Sequence, residues 1–355
     1  MTLKIAKRSA SHRSPRSGVW ARMDDVAALA GVTKMTVSRA LREPDKVADA
    51  TRARIDAAIR EIGYVPNSLA GSLSSKRSRI IAAVVPTIQH AVFADTIQGL
   101  SEVCGREGYH LMIAGTEYSV AEEDALIQAF LTRRPDGMVL TGVTRSARSR
   151  KLLRKAGLPI VETWELSNSP IDMVVGYSNY RAAYEMTAAL AARGYRRIAF
   201  LSRPTANNER TSRREAGYRQ ALADRGLPVL DVIEVSAARD IEPEHGGKAL
   251  ADLLTRDPAV DAAFFTNDVY AVGALAWCRR NAIAVPDRLG IAGFHDLDIA
   301  RMVSPSLTSV HVPAREIGRH AAEMLLRRLG DKPIEANRVE LPFRIVERES
   351  TNRRS

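Results

Sequence analysis

Apolar residues in this chain follow one period in the first fifth and another in the remainder. Between residues 24 and 42, DDVAALAGVTKMTVSRALR sets Val26, Ala27, Leu29 and Ala30 on one helical face. Val37, Ala40 and Leu41 then fall at i, i+3 and i+4 on a second. Gly31 stands between them, where the chain must reach positive φ, and Thr33 is placed to cap the second helix. The other face of that helix carries Lys34, Met35, Ser38, Arg39 and Arg42. A third helix over 50–62 puts Ile55, Ala58, Ile59 and Ile62 on one side. Two short helices across a glycine turn, the second basic on its outer face, fit a helix-turn-helix reading the DNA major groove. An ordinary helical hairpin has the same pattern.

GYVPN at 63–67 breaks the period. Asn67 can cap a short segment to Ser74 in which Leu69, Ala70 and Leu73 are the apolar positions of note. Such a segment is too short to stand alone in water. It is either a linker or a helix that forms when DNA and a second copy are present. From residue 79 short apolar strands alternate with amphipathic helices. The first series has strands at 80–85, 109–114, 137–140 and 159–161, with helices at 92–107, 121–133 and 148–156. A second series is expected to begin with a strand at 173–175 and a helix at 179–193. It continues through strands at 198–202, 232–235, 262–266 and 289–293 and helices near 213–225, 244–256 and 269–281. This alternation implies parallel sheets wrapped by helices, and its length exceeds one core, so two α/β subdomains are expected.

Charge decides between the two readings of the N-terminal helices. The net charge is +11, and residues 1–79 hold 16 Lys/Arg against 7 Asp/Glu, leaving 36 against 34 for the rest. A cationic module on a near-neutral body is the footprint of a nucleic-acid binder. Residues 1–22 lack any acid and any amphipathic period, so a disordered basic extension is expected there, with a phosphate-contacting arm as the alternative. Cys104 and Cys278 are far apart in apolar settings, which points to buried thiols and no zinc site. No apolar run approaches the ~18 residues of a membrane span, and the basic N-terminus lacks a signal peptide's apolar core. The expected setting is cytoplasmic, with no membrane partner. H-E-x-x-H, G-x-S-x-G, Walker A and strand-led G-x-G-x-x-G patterns are absent, so neither an enzyme nor a cofactor is expected.

DVAALAGVTKMTVSRAL, GYVPNSLAGSL, the TND at 266–268 and IAGFHDLD at 291–298 together resemble the lactose-repressor (LacI) family of bacterial regulators. The match runs from Met23 to about Arg348, and GVTKMTVSRALREP and GFHDLDIA look most like that family's repressors of gluconate utilisation. The resemblance implies a small all-α helix-turn-helix headpiece over 23–65 and a hinge helix within 66–78. It also implies a two-lobed α/β body like periplasmic sugar-binding proteins over 79–348, with a tail at 349–355. Three crossings would join the lobes, with late strands near 308–312 and 339–345 completing both sheets. A homodimer reading a near-palindromic operator follows, and without a C-terminal leucine heptad a dimer is favoured over a tetramer.

The family uses the positions of Lys34, Met35 and Arg39 to read base edges. Arg39 suits a bidentate pair with guanine, and Met35 a thymine methyl. Thr33, Thr36, Ser38 and Arg42 are expected on phosphates, and Asn67 and Leu73 in the hinge, Leu73 as a minor-groove wedge. In the body, the loop after Leu201 holds Arg203, Arg210, Arg213 and Arg214. Arg214 matches the family's effector-contacting R-x-x-G-[FYW] arginine, and Arg210 matches an arginine of the gluconate repressors. His295 stands where most members have an acid. Guanidinium forks, and a histidine in place of a carboxylate, favour an anionic ligand. Phe93 matches a cleft aromatic, Trp164 is a stacking candidate, and Asn267 and Asp268 suit hydroxyl contacts, although Asp268 can instead cap a helix. The expected function is a transcriptional regulator, a repressor of sugar-acid catabolism answering to a gluconate-like ligand. The alternatives are a regulator responding to a neutral sugar or purine, or a sugar-binding transport receptor.

Overall fold

The computed structural model describes residues 21–65, 77–204, 208–235 and 242–353, so Asn67, Leu73 and the expected hinge helix lie outside the described residues. The chain divides into two compact units, Met1–Ser78 and Arg79–Ser355.

The first unit contains α1 (Met23–Ala30), α2 (Lys34–Arg42) and α3 (Asp49–Ile62). Gly31 and Gly63 end α1 and α3 at φ 65° and 62°, where a β-carbon would be strained. The Thr33 hydroxyl accepts from Thr36 N–H at 3.2 Å and so caps α2. Val26, Val37 and Ile55 are fully buried together, with Ala27, Ala30, Ala40, Ala58 and Tyr64 around them. Two apolar positions expected inside face solvent: Leu29 is 38% exposed and Leu41 36%. Leu29 is about 110° around the helix from the centre of the Val26–Ala27–Ala30 arc, and Leu41 lies in the last turn of α2.

The second unit is built on two six-stranded sheets. The first runs β11 (Arg338–Glu340), β5 (Met173–Gly176), β4 (Ile160–Thr163), β3 (Gly137–Thr141), β1 (Ile80–Val85), β2 (His110–Gly115), all parallel. The second runs β12 (Arg344–Val346), β10 (Thr308–His311), β9 (Gly290–His295), β8 (Ala262–Phe265), β6 (Ile198–Ser202), β7 (Ile233–Glu234). It is parallel except where β12 meets β10, pairing Val310 with Ile345. The central strands, IIAAVV and AAFF among them, are buried on both faces, as helix-covered parallel sheets require. One expectation needs correction. Residues 173–176 do not open the second series; Val161 pairs with Met173, making β5 a strand of the first sheet. An apolar strand carries no mark of which sheet it joins, and the chain changes lobe only after it.

Helices α4 (Ala91–Arg106), α5 (Val120–Thr132) and α6 (Ala147–Ala156) belong to the first lobe. Then α7 (Asn179–Ala192), α8 (Glu209–Ala223), α9 (Pro243–Arg256), α10 (Asp268–Arg280) and α11 (Asp298–Met302) belong to the second. Finally α12 (Ala314–Leu329) returns to pack on α4. A β-carbon at Gly99 would lie 2.2 Å from Arg315 O, so only glycine permits that approach. The chain thus crosses between lobes three times: after β5, after β10 and between β11 and β12.

Candidate functional site

In the first unit α2 turns Val37 and Ala40 inward and leaves Lys34, Met35, Arg39 and Arg42 exposed, with Thr36 and Ser38 half-buried. Lys34 Nζ meets Asp24 Oδ2 at 3.0 Å in an exposed pair of little energetic weight. Arg42 folds back along the helix, donating from Nη2 to Ser38 Oγ at 2.7 Å and from Nε to Ser38 O at 3.2 Å. Met35 is 71% exposed, an apolar tip among cations. The proposed base-reading trio Lys34, Met35 and Arg39 therefore shares one outward face.

In the second unit a crevice is walled by residues at the carboxyl ends of strands from both sheets, where open α/β folds bind ligands. His90 and Tyr118 follow β1 and β2, and Trp164 follows β4. Arg203 follows β6, Thr266 and Asn267 follow β8, and His295 ends β9. The starts of α4 and α8 add Phe93, Arg210 and Arg214. Tyr118, Trp164 and His295 all sit at positive φ, 60°, 75° and 106°. Side chains rarely tolerate that region, and three such residues around one crevice mark a site whose geometry is held at a cost.

Arg214 is 5% exposed and almost wholly committed to the protein. Its Nε donates to Asn179 Oδ1 at 2.8 Å, Nη1 to Thr266 O at 3.1 Å, and Nη2 to Tyr177 Oη at 3.0 Å. The guanidinium also lies 3.7 Å over the Phe294 ring. Among the described residues no carboxylate pairs with it, and burial lowers its pKa. Nη2 also faces His295 Nε2 at 3.3 Å. Arginine only donates, so Nε2 accepts and the imidazole proton sits on Nδ1. Burial first, then Arg214, holds the His295 pKa well below its usual value, so the ring is neutral.

Arg210, 7% exposed, differs. Its Nη1 meets Glu209 Oε1 at 3.4 Å, and that oxygen also accepts from Val143 N–H of the first lobe at 3.1 Å. Gly142 stands where the lobes touch at φ 88°, a backbone region that favours glycine. His90 stacks on Phe93 with centroids 6.0 Å apart, and its Nδ1 lies 3.4 Å from Tyr118 Oη. Burial, then the charges of Arg203 and Arg210, pulls its pKa down to about 4. Phe93 meets the edge of Trp164 at 5.1 Å, and Trp164 meets His295 at 6.3 Å across the crevice. Among the described residues three buried ring nitrogens around it, His90 Nε2, Trp164 Nε1 and His295 Nδ1, have no hydrogen-bond partner. In folded proteins such atoms nearly always find one, so they ask for a ligand or water.

The structure thus gathers Phe93, Trp164, Arg210, Arg214, Asn267 and His295 into one wall. Asp268 is not part of it. It is 0% exposed, accepting from Ser309 Oγ at 2.6 Å and Leu297 N–H at 2.7 Å, and burial pushes its pKa up to about 7. Asn267 faces the crevice while capping α10 through Val269 N–H at 2.8 Å; one residue on, the helix turns Asp268 inward. Arg213 faces solvent. His90, Tyr118, Asn208 and Thr211 were not singled out from sequence, and Thr266 was noted only as part of the TND motif. The available signal was positional, since His90, Tyr118 and Thr266 all fall in the first residues after a strand.

Residues 22–67 match the profile of bacterial regulatory proteins of the lacI family, and 187–351 that of a periplasmic binding protein-like domain. The HTH-type transcriptional regulator GntR of Escherichia coli (strain K12) is 38% identical over 322 residues, covering 90% of this chain and 96% of that protein. The chain belongs to the LacI family of bacterial regulatory proteins. A second LacI-family likeness is the HTH-type transcriptional regulator IdnR of Escherichia coli (strain K12), 36% identical over 91% of this chain and 96% of its own length. A solved LacI-family regulator from Silicibacter pomeroyi superposes with a TM-score of 0.88 at 32% identity, covering 94% of this chain and 100% of that one. Like these relatives, this LacI-family member is a transcriptional regulator with a helix-turn-helix and not an enzyme. Among the described residues no helix is long and apolar enough to cross a membrane.

Proposed function

We propose that this regulator, as a homodimer, reads a near-palindromic operator through α2, and that a small carboxylated sugar of the gluconate type in the crevice sets its affinity. Lys34, Met35 and Arg39 face base edges, while Thr33, Thr36, Ser38 and Arg42 hold phosphates. Among the described residues the single observation that carries the ligand reading is a buried guanidinium, Arg214, with no carboxylate partner, in a wall that contains no Asp or Glu. Glu209 pairs with Arg210 and the buried Glu165 bonds Asn179 outside the wall, while the wall itself carries Arg203, Arg210 and Arg214, a positive lining that suits a carboxylate. Arg210 offers the fork for that carboxylate, and the N–H groups of His295 and Trp164 offer donors to further ligand oxygens. A neutral sugar would bring no counter-charge to that lining. The protein is a repressor that the acid releases.

A thermal-shift screen of the full-length protein tests this. Gluconate, 2-ketogluconate and 5-ketogluconate should raise Tm, while glucose, ribose and purines should not. Stabilisation by neutral ligands alone would refute the carboxylate reading. Gel shifts with the stabilising acid should then show operator release.

A further inference from the structure

We infer that Asn179 is a positioning residue that couples the occupied crevice to the angle between the lobes, an inference that rests on the ligand reading above. Asn179 is the first residue of α7, immediately after the crossing at Tyr177 and Ser178 that leads from β5 into the second lobe. Its side chain is fully buried and uses its whole hydrogen-bonding capacity. Oδ1 accepts from Arg214 Nε at 2.8 Å and from Tyr177 Oη at 3.0 Å. Nδ2 donates to Trp164 O at 2.8 Å and to Glu165 Oε2 at 3.1 Å. The amide orientation is fixed by its partners, because a guanidinium cannot accept and a carbonyl cannot donate.

Two of these bonds therefore reach back to the end of β4 in the first lobe, and one reaches forward to α8 in the second. Arg214 and Trp164 are themselves crevice walls, so a ligand touching both sits on the two ends of this staple. Rotation of one lobe against the other about the first crossing must break either the Trp164–Glu165 side or the Arg214 side. In a buried site neither set is replaced by water, so the staple has discrete arrangements that a ligand can select between.

The test uses full-length protein and an operator fragment that the wild type selects from a random-sequence pool. Gluconate, 2-ketogluconate and 5-ketogluconate are titrated against wild type and Asn179→Ala, with ligand affinity read by calorimetry and operator affinity by anisotropy. The expected result is ligand affinity within about fivefold of wild type, with an operator response cut from roughly 5–150-fold to under about twofold. An intact response overturns the proposal, and so does a ligand affinity lost by more than about tenfold with the response preserved, which would leave Asn179 merely holding Arg214. If Asn179→Ala does not fold, Glu165→Ala carries the test: it removes one first-lobe acceptor and spares Arg214, and it should give a partial loss of response. If no acid moves the wild type, the ligand reading fails, and the staple is judged in ligand-free protein by spin labels at Lys151→Cys and Arg280→Cys. Cys104 and Cys278 are buried with thiol pKa values pushed up to about 11 and about 12, so labelling is selective. A broader lobe-to-lobe distance distribution in Asn179→Ala supports the staple, and an unchanged one overturns it.

Discussion

Two arginines four residues apart have different work in this crevice. Arg214 has Nε, Nη1 and Nη2 bonded to Asn179, Thr266 and Tyr177, so it supplies field and fixes its neighbours. Among the described residues Arg210 shares only a long contact with Glu209 and keeps a fork to offer. Arg210→Ala should thus weaken gluconate binding by about 10–100-fold, the worth of a charge-assisted hydrogen bond, with ligand-free Tm little changed. Calorimetry and melting together check this. Neutral imidazoles at His90 and His295 make a second expectation. In the unfolded chain each takes up a proton below pH 6.5, whereas folded His90 resists until about pH 4, so both erode stability as pH falls through that window. Neither is charged between about pH 5.5 and 8, so neither histidine should change sugar-acid affinity by more than about twofold there. A steep rise toward pH 5.5 would mean that a histidine charges on binding. At this scale the sequence pointed to Arg214 and His295 through motif positions. It did not distinguish Asn267 from Asp268, because which of two adjacent polar residues turns inward depends on the register of α10 against β9 and β10.

The elements that hold these residues are governed by local chemistry. Thr33 caps α2, and Thr33→Ala should cost about 0.5–2 kcal/mol of headpiece stability, read by denaturant melting. Arg39, exposed on the same helix, is expected to cost operator binding about 1–3 kcal/mol when changed to Ala, with little effect on random-sequence DNA. Equal losses on both DNAs would assign Arg39 to phosphate instead. The α2 cap, glycine turn and inward Val37 were all legible in the sequence because each is a short-range pattern. Leu29 and Leu41 were not, since three small helices cannot enclose every apolar position that periodicity offers. Likewise β5 was assigned to the wrong series, because strand pairing is decided between segments far apart in the chain.

For the whole molecule the division of charge sets the behaviour. The excess of Lys and Arg in residues 1–79 must release counterions on DNA, so operator affinity should fall by at least ~10-fold between about 50 and 200 mM salt. Sugar-acid affinity depends on buried Arg210 and Arg214, where salt screens far less, and should change by less than about threefold over the same range. Parallel losses would put the ligand on the surface. The two-lobed body fits this separation, since crevice and headpiece belong to different compact units.

The sequence alone determined the helix-turn-helix, the βα alternation and the cationic first fifth, because caps, periods and composition act over a few residues. Tertiary structure decided which strand ends meet. It brought His90, Tyr118, Trp164, Arg214 and His295 together from segments as far apart in sequence as His90 and His295. It also left Arg214 without a carboxylate among the described residues, and no local pattern records which charge a buried group will lack.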